Sequence, residues 1–444
     1  MTDLAEPPTG PTGRTAHGKP FRSLRHRNAR RFFAGVLVST IGTWLQLTAM
    51  ALLVYELTGK ATDLGITLAL QWLPMLVLGA WAGAVADRRD KLTLSIITQA
   101  GLAVQAIVLG LVDLAGLASV PVVWSLTLVL GVLNAFDNPA RRGLVTELVE
   151  THEIPNATSL NTAVMTGSRI FGPALGALLV GTVGTGWCFL LNGISFAAVL
   201  FSLCTIRRDE MHPSPRAPKG GRPVREALAY VAHRRRLLVV VVVMAIVSTF
   251  AFNSQVALPK LADVRWGGAG WFGLVLSVSS VGAVIGSLLT ARLGWVSIRW
   301  YLGNTVLMAV SGLFLAWAPN LELALLWAIP LGIGGAAFIS GATGIIQQAI
   351  PGHMRGRMLA LTAVAFLGST PIGGPITGLV GDRISPEWGV AYGSVIALAT
   401  VAVAAVVLMR TPDAAVAPSA TSGPVPISTI PPPAQQSQPA SRTP

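Results

Sequence analysis

Twelve apolar runs dominate the chain, each near the roughly 20 residues a helix needs to cross a bilayer core about 30 Å thick. The first six are Phe32–Val54, Leu64–Val85, Leu92–Leu114, Val120–Phe136, Val164–Val183 and Trp187–Ile206. The second six are Leu237–Leu258, Trp271–Leu293, Trp300–Trp317, Leu323–Ile345, Met358–Val380 and Trp388–Met409. Hydrocarbon offers no water to satisfy the backbone, so each run is expected to be a helix. The implied fold class is an all-α integral membrane protein of twelve transmembrane helices. Composition agrees, with 52% hydrophobic and only 11% charged residues, where soluble domains carry about a quarter charged. An ordinary cytosolic enzyme is excluded.

The net charge of +13 would suggest nucleic acid on a soluble protein. Here it is sorted by side. With both termini on one side, that side holds 27 Lys and Arg residues, while the opposite loops hold four, Lys60, Lys260, Arg265 and Arg383, beside seven acids. This is the positive-inside pattern. It predicts a multi-pass protein of the cell inner membrane with both termini cytoplasmic, a lipid bilayer as partner and no nucleic acid. The domains expected are a basic cytoplasmic tail over 1–31, a six-helix bundle over 32–206 and a cytoplasmic central loop over 207–236. A second six-helix bundle over 237–410 and a Pro/Ser/Ala-rich, disordered cytoplasmic tail over 411–444 complete the chain. The first apolar run is too long for a signal-peptide core, so no cleaved leader is expected.

Cys188 and Cys204 lie in one run, roughly 24 Å apart on a helix, and cannot pair. All six histidines fall outside the runs, which argues against an intramembrane metal site. No cofactor is expected.

The two sets of six are copies. Gly79-Ala-Trp-Ala-Gly83 in span two answers to Gly282-Ala-Val-Ile-Gly286 in span eight, 203 residues later. Gly172-Pro173-Ala-Leu-Gly176 in span five answers to Gly374-Pro375-Ile-Thr-Gly378 in span eleven, 202 residues later. Six spans per copy make a parallel repeat, an arrangement that places a transport site between the halves near the midplane.

Gly83-Ala-Val-Ala-Asp87-Arg88-Arg89-Asp90-Lys91 closes span two. Gly83 permits a close helix contact, Asp87 offers a carboxylate to a helix N-terminus, and Arg88 and Lys91 can pair acids or lipid phosphates. The segment resembles the cytoplasmic loop motif of the major facilitator superfamily, with Asp90 replacing the usual second glycine. In the second half, Thr290 stands where Asp87 predicts an acid. Phe21-Arg-Ser-Leu-Arg-His-Arg, Asn138-Pro139-Ala140-Arg141-Arg142, Pro155-Asn156-Ala157, Arg169-Ile-Phe-Gly172-Pro173, Arg355-Gly356-Arg357-Met358 and Gly381-Asp382-Arg383 extend the likeness. Together they resemble the enterobactin-exporter-like branch of that superfamily, the transmembrane secretion effectors. The resemblance implies alternating access and, for many members, proton-driven export of small organic molecules. It also implies that spans one, four, seven and ten line the cavity.

Asp87 is expected to gate against Arg355-Gly356-Arg357 at the start of span eleven, with Arg141 or Arg142 beside it. Gly172 and Pro173 would supply a bend or a tight packing contact in span five. Arg169 is the one basic residue inside a span away from its end, a functional candidate by default; its rival role is a structural pair with Asp137. Span four offers Asn134 and Asp137 where many proton antiporters carry an arginine, and no span holds a carboxylate near its middle. Gln46, Gln71, Asn253 and Gln255 are candidate cavity amides or, equally, interhelical bonds. Trp44, Phe250 and Phe252 would line the cavity with rings. Val224–Arg236 reads as a basic surface helix. The expected protein is a monomeric secondary transporter, most simply a proton-driven exporter of a small amphipathic compound such as a drug-like molecule or siderophore. The alternatives are an importer or facilitator and, outside transport, a receptor or scaffold. No clustered Asp, His or Ser supports an intramembrane enzyme.

Overall fold

The structure, a computed structural model, describes residues 22–212, 230–232, 234–350, 358, 362, 365–366 and 368–410. Arg355, Arg357, the surface stretch 224–229 and most of both tails lie outside them. Among the described residues there are helices and no strands, and eleven helices are long and apolar enough to cross a membrane. The twelfth is span eleven, described from Thr370 to Arg383. The residues up to Ala404 form one unit; of the second, Ala405–Pro444, only the end of the last helix is described.

Several helices run past their apolar cores on the basic face. Span four continues to Glu147 and span five begins at Ile154, because a helix satisfies its own backbone in water as well as in lipid. Span seven does the opposite. The sequence predicts one run over Leu237–Leu258, but the helix stops at Phe250 and resumes as Leu258–Trp266 after a turn and a short 3-10 segment. At the break Asn253 donates to the carbonyl of Thr249 at 2.8 Å, replacing the helical bond. Asn253 is 1% exposed, so it serves the break and does not line the cavity.

In the first half, span one packs on five and six, three on four and six, and two on four; in the second, span ten packs on seven, eight and nine. Between the halves, two meets eleven and five meets eight. Since two copies eight and five copies eleven, these are one contact made twice. The glycine pairs divide differently. Cβ atoms added at Gly282 and Gly286 would fall within 3.0 Å of the Ile329 and Ile333 carbonyls, so this pair seals span eight to span ten. At Gly79 and Gly83 a Cβ would meet no described atom within 4 Å. Span two is joined to span four instead through Gly131, against the Leu70 and Gln71 carbonyls.

Gln46 belongs to the interior of the first bundle. Its amide donates to Gln105 at 3.1 Å and accepts from Asn192, which also holds Ser195, joining spans one, three and six. A Cβ at Gly42 would displace the Ser195 and Asn192 side-chain oxygens. The cavity role considered for Gln46 is therefore corrected: it is 3% exposed and spent on neighbours. Interhelical hydrogen bonds in membranes contribute about 0.6–1.7 kcal/mol each. Gln46→Leu removes two and orphans their partners, so thermal unfolding in detergent should show a loss of about 1–3 kcal/mol, with substrate affinity unchanged.

The loop motifs also tie elements within the first half. Asp90 caps span three by accepting from the Thr93 amide at 2.6 Å and pairs with Arg208 at 3.4 Å. This explains an acid in place of the familiar glycine. Burial raises the Asp90 carboxyl, but the Thr93 hydrogen bonds, then Arg208 and Lys91, outweigh it and hold the group below the usual carboxylate range. Its contribution is thus present at neutral pH and fades only as pH falls through that lowered value. Lys91 reaches Glu147 at 2.5 Å. Glu153, its side chain 1% exposed, gathers Arg22, Arg25 and His26 and so fixes the approach to span one against the start of span five.

Candidate functional site

On the acidic face the halves meet closely. A Cβ at Gly65 would lie within 3.0 Å of Gly374 and Pro375, one at Gly378 within 3.0 Å of Ala61 and Thr62, and one at Gly273 within 3.0 Å of the Pro173 carbonyl. Glycines face the proline-bearing turns of spans five and eleven alike, bringing backbone onto backbone. Polar links close the rim. Asp382 accepts from the amides of Ala61 at 3.0 Å and Thr62 at 2.8 Å, from the Thr62 hydroxyl at 2.7 Å and from Lys260 at 2.6 Å. It thereby caps span two from the opposite half. Tyr55 donates to Asp263 at 2.9 Å.

Beneath this seal lies a cavity of about 1090 Å³, its mouth included. Span one contributes Trp44, span five Arg169 and Pro173, and the span-seven break Phe252 and Gln255. Ser279 and Ser280 of span eight and Met308 of span nine complete much of the wall. The local sequence explains the placement of Arg169. Pro173 has no N–H for the carbonyl four residues back, which is that of Arg169. Gly172 lets Trp44 lie against span five, where a Cβ would lie within 3.0 Å of the Trp44 Cβ. The Arg169 guanidinium carbon is 5.5 Å from the centre of the Trp44 ring. A smaller recess beside the cavity is shared by Trp44, Gln71 and Gln255.

Several expectations are corrected here. Arg169 does not pair with Asp137. Asp137 is 1% exposed and faces span three, accepting from Thr98 and Gln99 at 2.9 Å each, with Arg141 at 3.5 Å. Arg169 faces the cavity instead. Span four gives the cavity no wall, while spans five, eight, nine and twelve do. Gly312, Gly332 and Gly335 also border the cavity, the first two where a Cβ would meet Ser394 and the Ser279 carbonyl. Phe250 packs edge-on against Tyr392 outside the lining. Asn134 is half-buried outside both spaces. Asp87 and Arg88 are exposed, and Asp87 makes no ion pair with a described residue. Arg142 is also exposed. The partner expected for Asp87, Arg355-Gly356-Arg357, lies outside the described residues. Sequence reasoning missed Ser279, Ser280 and Ser394; adjacent hydroxyls inside an apolar run were the available signal for the first two.

Two membrane-helix bundles built as a parallel repeat, with a cavity between them, define a major facilitator transporter. Within that class the chain belongs to the transmembrane secretion effector family, whose model matches residues 18–430. It is 26% identical to the uncharacterized MFS-type transporter YfiS of Bacillus subtilis over 80% of this chain and 86% of that one. It is 23% identical to the enterobactin exporter EntS of Salmonella paratyphi A, over 81% and 87% of the two chains. Its fold is similar to a bacterial homolog of the human lysosomal transporter Spinster, with a TM-score of 0.65 at 14% identity, covering 88% of this chain and 96% of that one.

Proposed function

We propose that the chain exports a small amphipathic organic molecule across the cell inner membrane by alternating access, driven by proton entry, with both termini and the basic face in the cytoplasm. The observation that carries the reading is a mixed apolar and polar cavity between the halves, sealed on the acidic face by a contact that the repeat makes twice. In this orientation the cavity loads from the cytoplasm, and breaking the seal releases cargo outside. Similarity to the enterobactin exporter supports export over import.

No described carboxylate lines the cavity, so a proton must act from elsewhere. Asp137 is the candidate: it is buried near the basic end of span four, and a proton on Oδ2 would remove its charge, releasing Arg141 and weakening the hydrogen bonds from Thr98 and Gln99 to Oδ1. Everted vesicles given a siderophore or a fluorescent drug-like dye should accumulate it, and an uncoupler should abolish the accumulation. Asp137→Asn should insert normally but lose uncoupler-sensitive accumulation by at least about tenfold, the scale of one lost charge-assisted interaction. Accumulation indifferent to the uncoupler in wild type would remove the proton from the mechanism.

A further inference from the structure

We infer that the cavity selects organic anions, recognising an acidic group through Arg169 and a planar apolar body through Trp44 and Phe252; this rests on the transport reading above and narrows its substrate class. Among the described residues Arg169 is the only charged one in the cavity walls, and no described carboxylate or ion pair neutralises it. Arg169 is solvent-accessible within the cavity, yet it stands inside a membrane span among a mostly apolar lining, and a charge placed there without a described counter-ion is a binding-site feature that a ligand of opposite sign would complete. The ring of Trp44 lies against the guanidinium and leaves its fork of N–H groups able to donate bidentately to a carboxylate or sulfonate.

The surroundings fit the rest of such a molecule. Trp44 and Phe252 offer aromatic faces, and Met308 offers a polarisable, adaptable surface. Gln255 and Ser279 provide neutral hydrogen-bonding groups for an amide or hydroxyl. A cationic amphipath of the same shape would meet Arg169 as a like charge and find no acid to compensate, so charge sets the discrimination.

Matched probes test this: 2-naphthoate and 2-naphthylmethylammonium share a ring and differ in charge. Equilibrium dialysis against the full chain in nanodiscs should show the anion bound at least tenfold more tightly than the cation. Arg169→Ala should lose anion binding by about tenfold to a hundredfold, Arg169→Lys should recover part of it, and Arg169→Glu should reverse the preference. Thermal unfolding of each variant separates binding loss from misfolding, and Arg169→Lys keeps the charge where Arg169→Ala fails to fold. Tighter binding of the cation to wild type, binding of neither probe, or anion binding unchanged in folded Arg169→Ala would each overturn the inference. Proteoliposome flux of both probes distinguishes the two readings. Arg169-dependent anion binding without flux defeats transport and leaves the anion site, whereas flux of the cation alone defeats the anion site and leaves transport.

Discussion

Asp382→Ala is expected to open the acidic face. The carboxylate accepts from two amides, a hydroxyl and Lys260, and three of those four donors belong to the other half of the molecule. All three are lost together when the halves part, so the substitution destabilises the closed arrangement far more than it destabilises either bundle. A hydrogen bond to a charged group contributes about 1.5–3 kcal/mol. Losing the cap and leaving Lys260 unpaired should therefore shift the equilibrium by about 2–3 kcal/mol, or some 30- to 150-fold. Labelling of a cysteine at Gln255 by a membrane-impermeant reagent from the acidic side should accelerate accordingly, in a background free of Cys188 and Cys204. Asp90→Ala removes a helix cap of similar chemistry from within one half, and should leave that labelling unchanged. Equal acceleration in both variants would mean that Asp382 acts on general stability.

Gly65→Val should separate conformational balance from folding. The added Cβ would meet the backbone of Gly374 and Pro375, which cannot move aside as a side chain can. That contact lies between halves and exists only when the acidic face is closed. The variant should fold with near-normal yield, be held away from the closed arrangement and lose transport by more than tenfold. Gly332→Val presents the same chemistry inside the second bundle, where the Cβ would strike the Ser279 carbonyl. Overpacking of that kind costs about 1–3 kcal/mol or more, and no motion of the halves relieves it. Its folded yield should fall. Yield by size-exclusion chromatography and flux in proteoliposomes check the pair; a Gly65→Val chain that transports normally would show that the contact is not needed in the cycle.

The spans were legible because a bilayer sets one length scale and one polarity, and runs such as Leu92–Leu114 match their helix closely. The repeat was legible in Gly172-Pro173 and Gly374-Pro375, although their use differs from that of Gly79 and Gly83. The break in span seven was not legible, since Leu237–Leu258 is apolar enough overall to read as one span despite Ser248, Thr249, Asn253, Ser254 and Gln255, and the turn depends on Asn253 and on the neighbouring backbone at Gly373 and Gly393. Amides posed the same difficulty. Gln46 and Gln255 read alike in sequence, and only packing sends one to Gln105 and Asn192 and the other to the cavity. Arg169 stood out because a lone charge in a span is expensive. The direction of its side chain depended on Gly172 and Trp44, which no spacing rule connects.

Alternating access is tested most directly by two spin-label distances measured on the same protein in nanodiscs. One pair, at Leu117 and Glu322, spans the halves on the acidic face; the other, at Arg89 and Leu293, spans them on the basic face. All four positions are exposed. Relative to wild type, Asp382→Ala should lengthen the first distance and shorten the second. Distances that change together, or an acidic-face distance that does not lengthen, would contradict a cycle in which Asp382 and the glycine contacts hold that face shut.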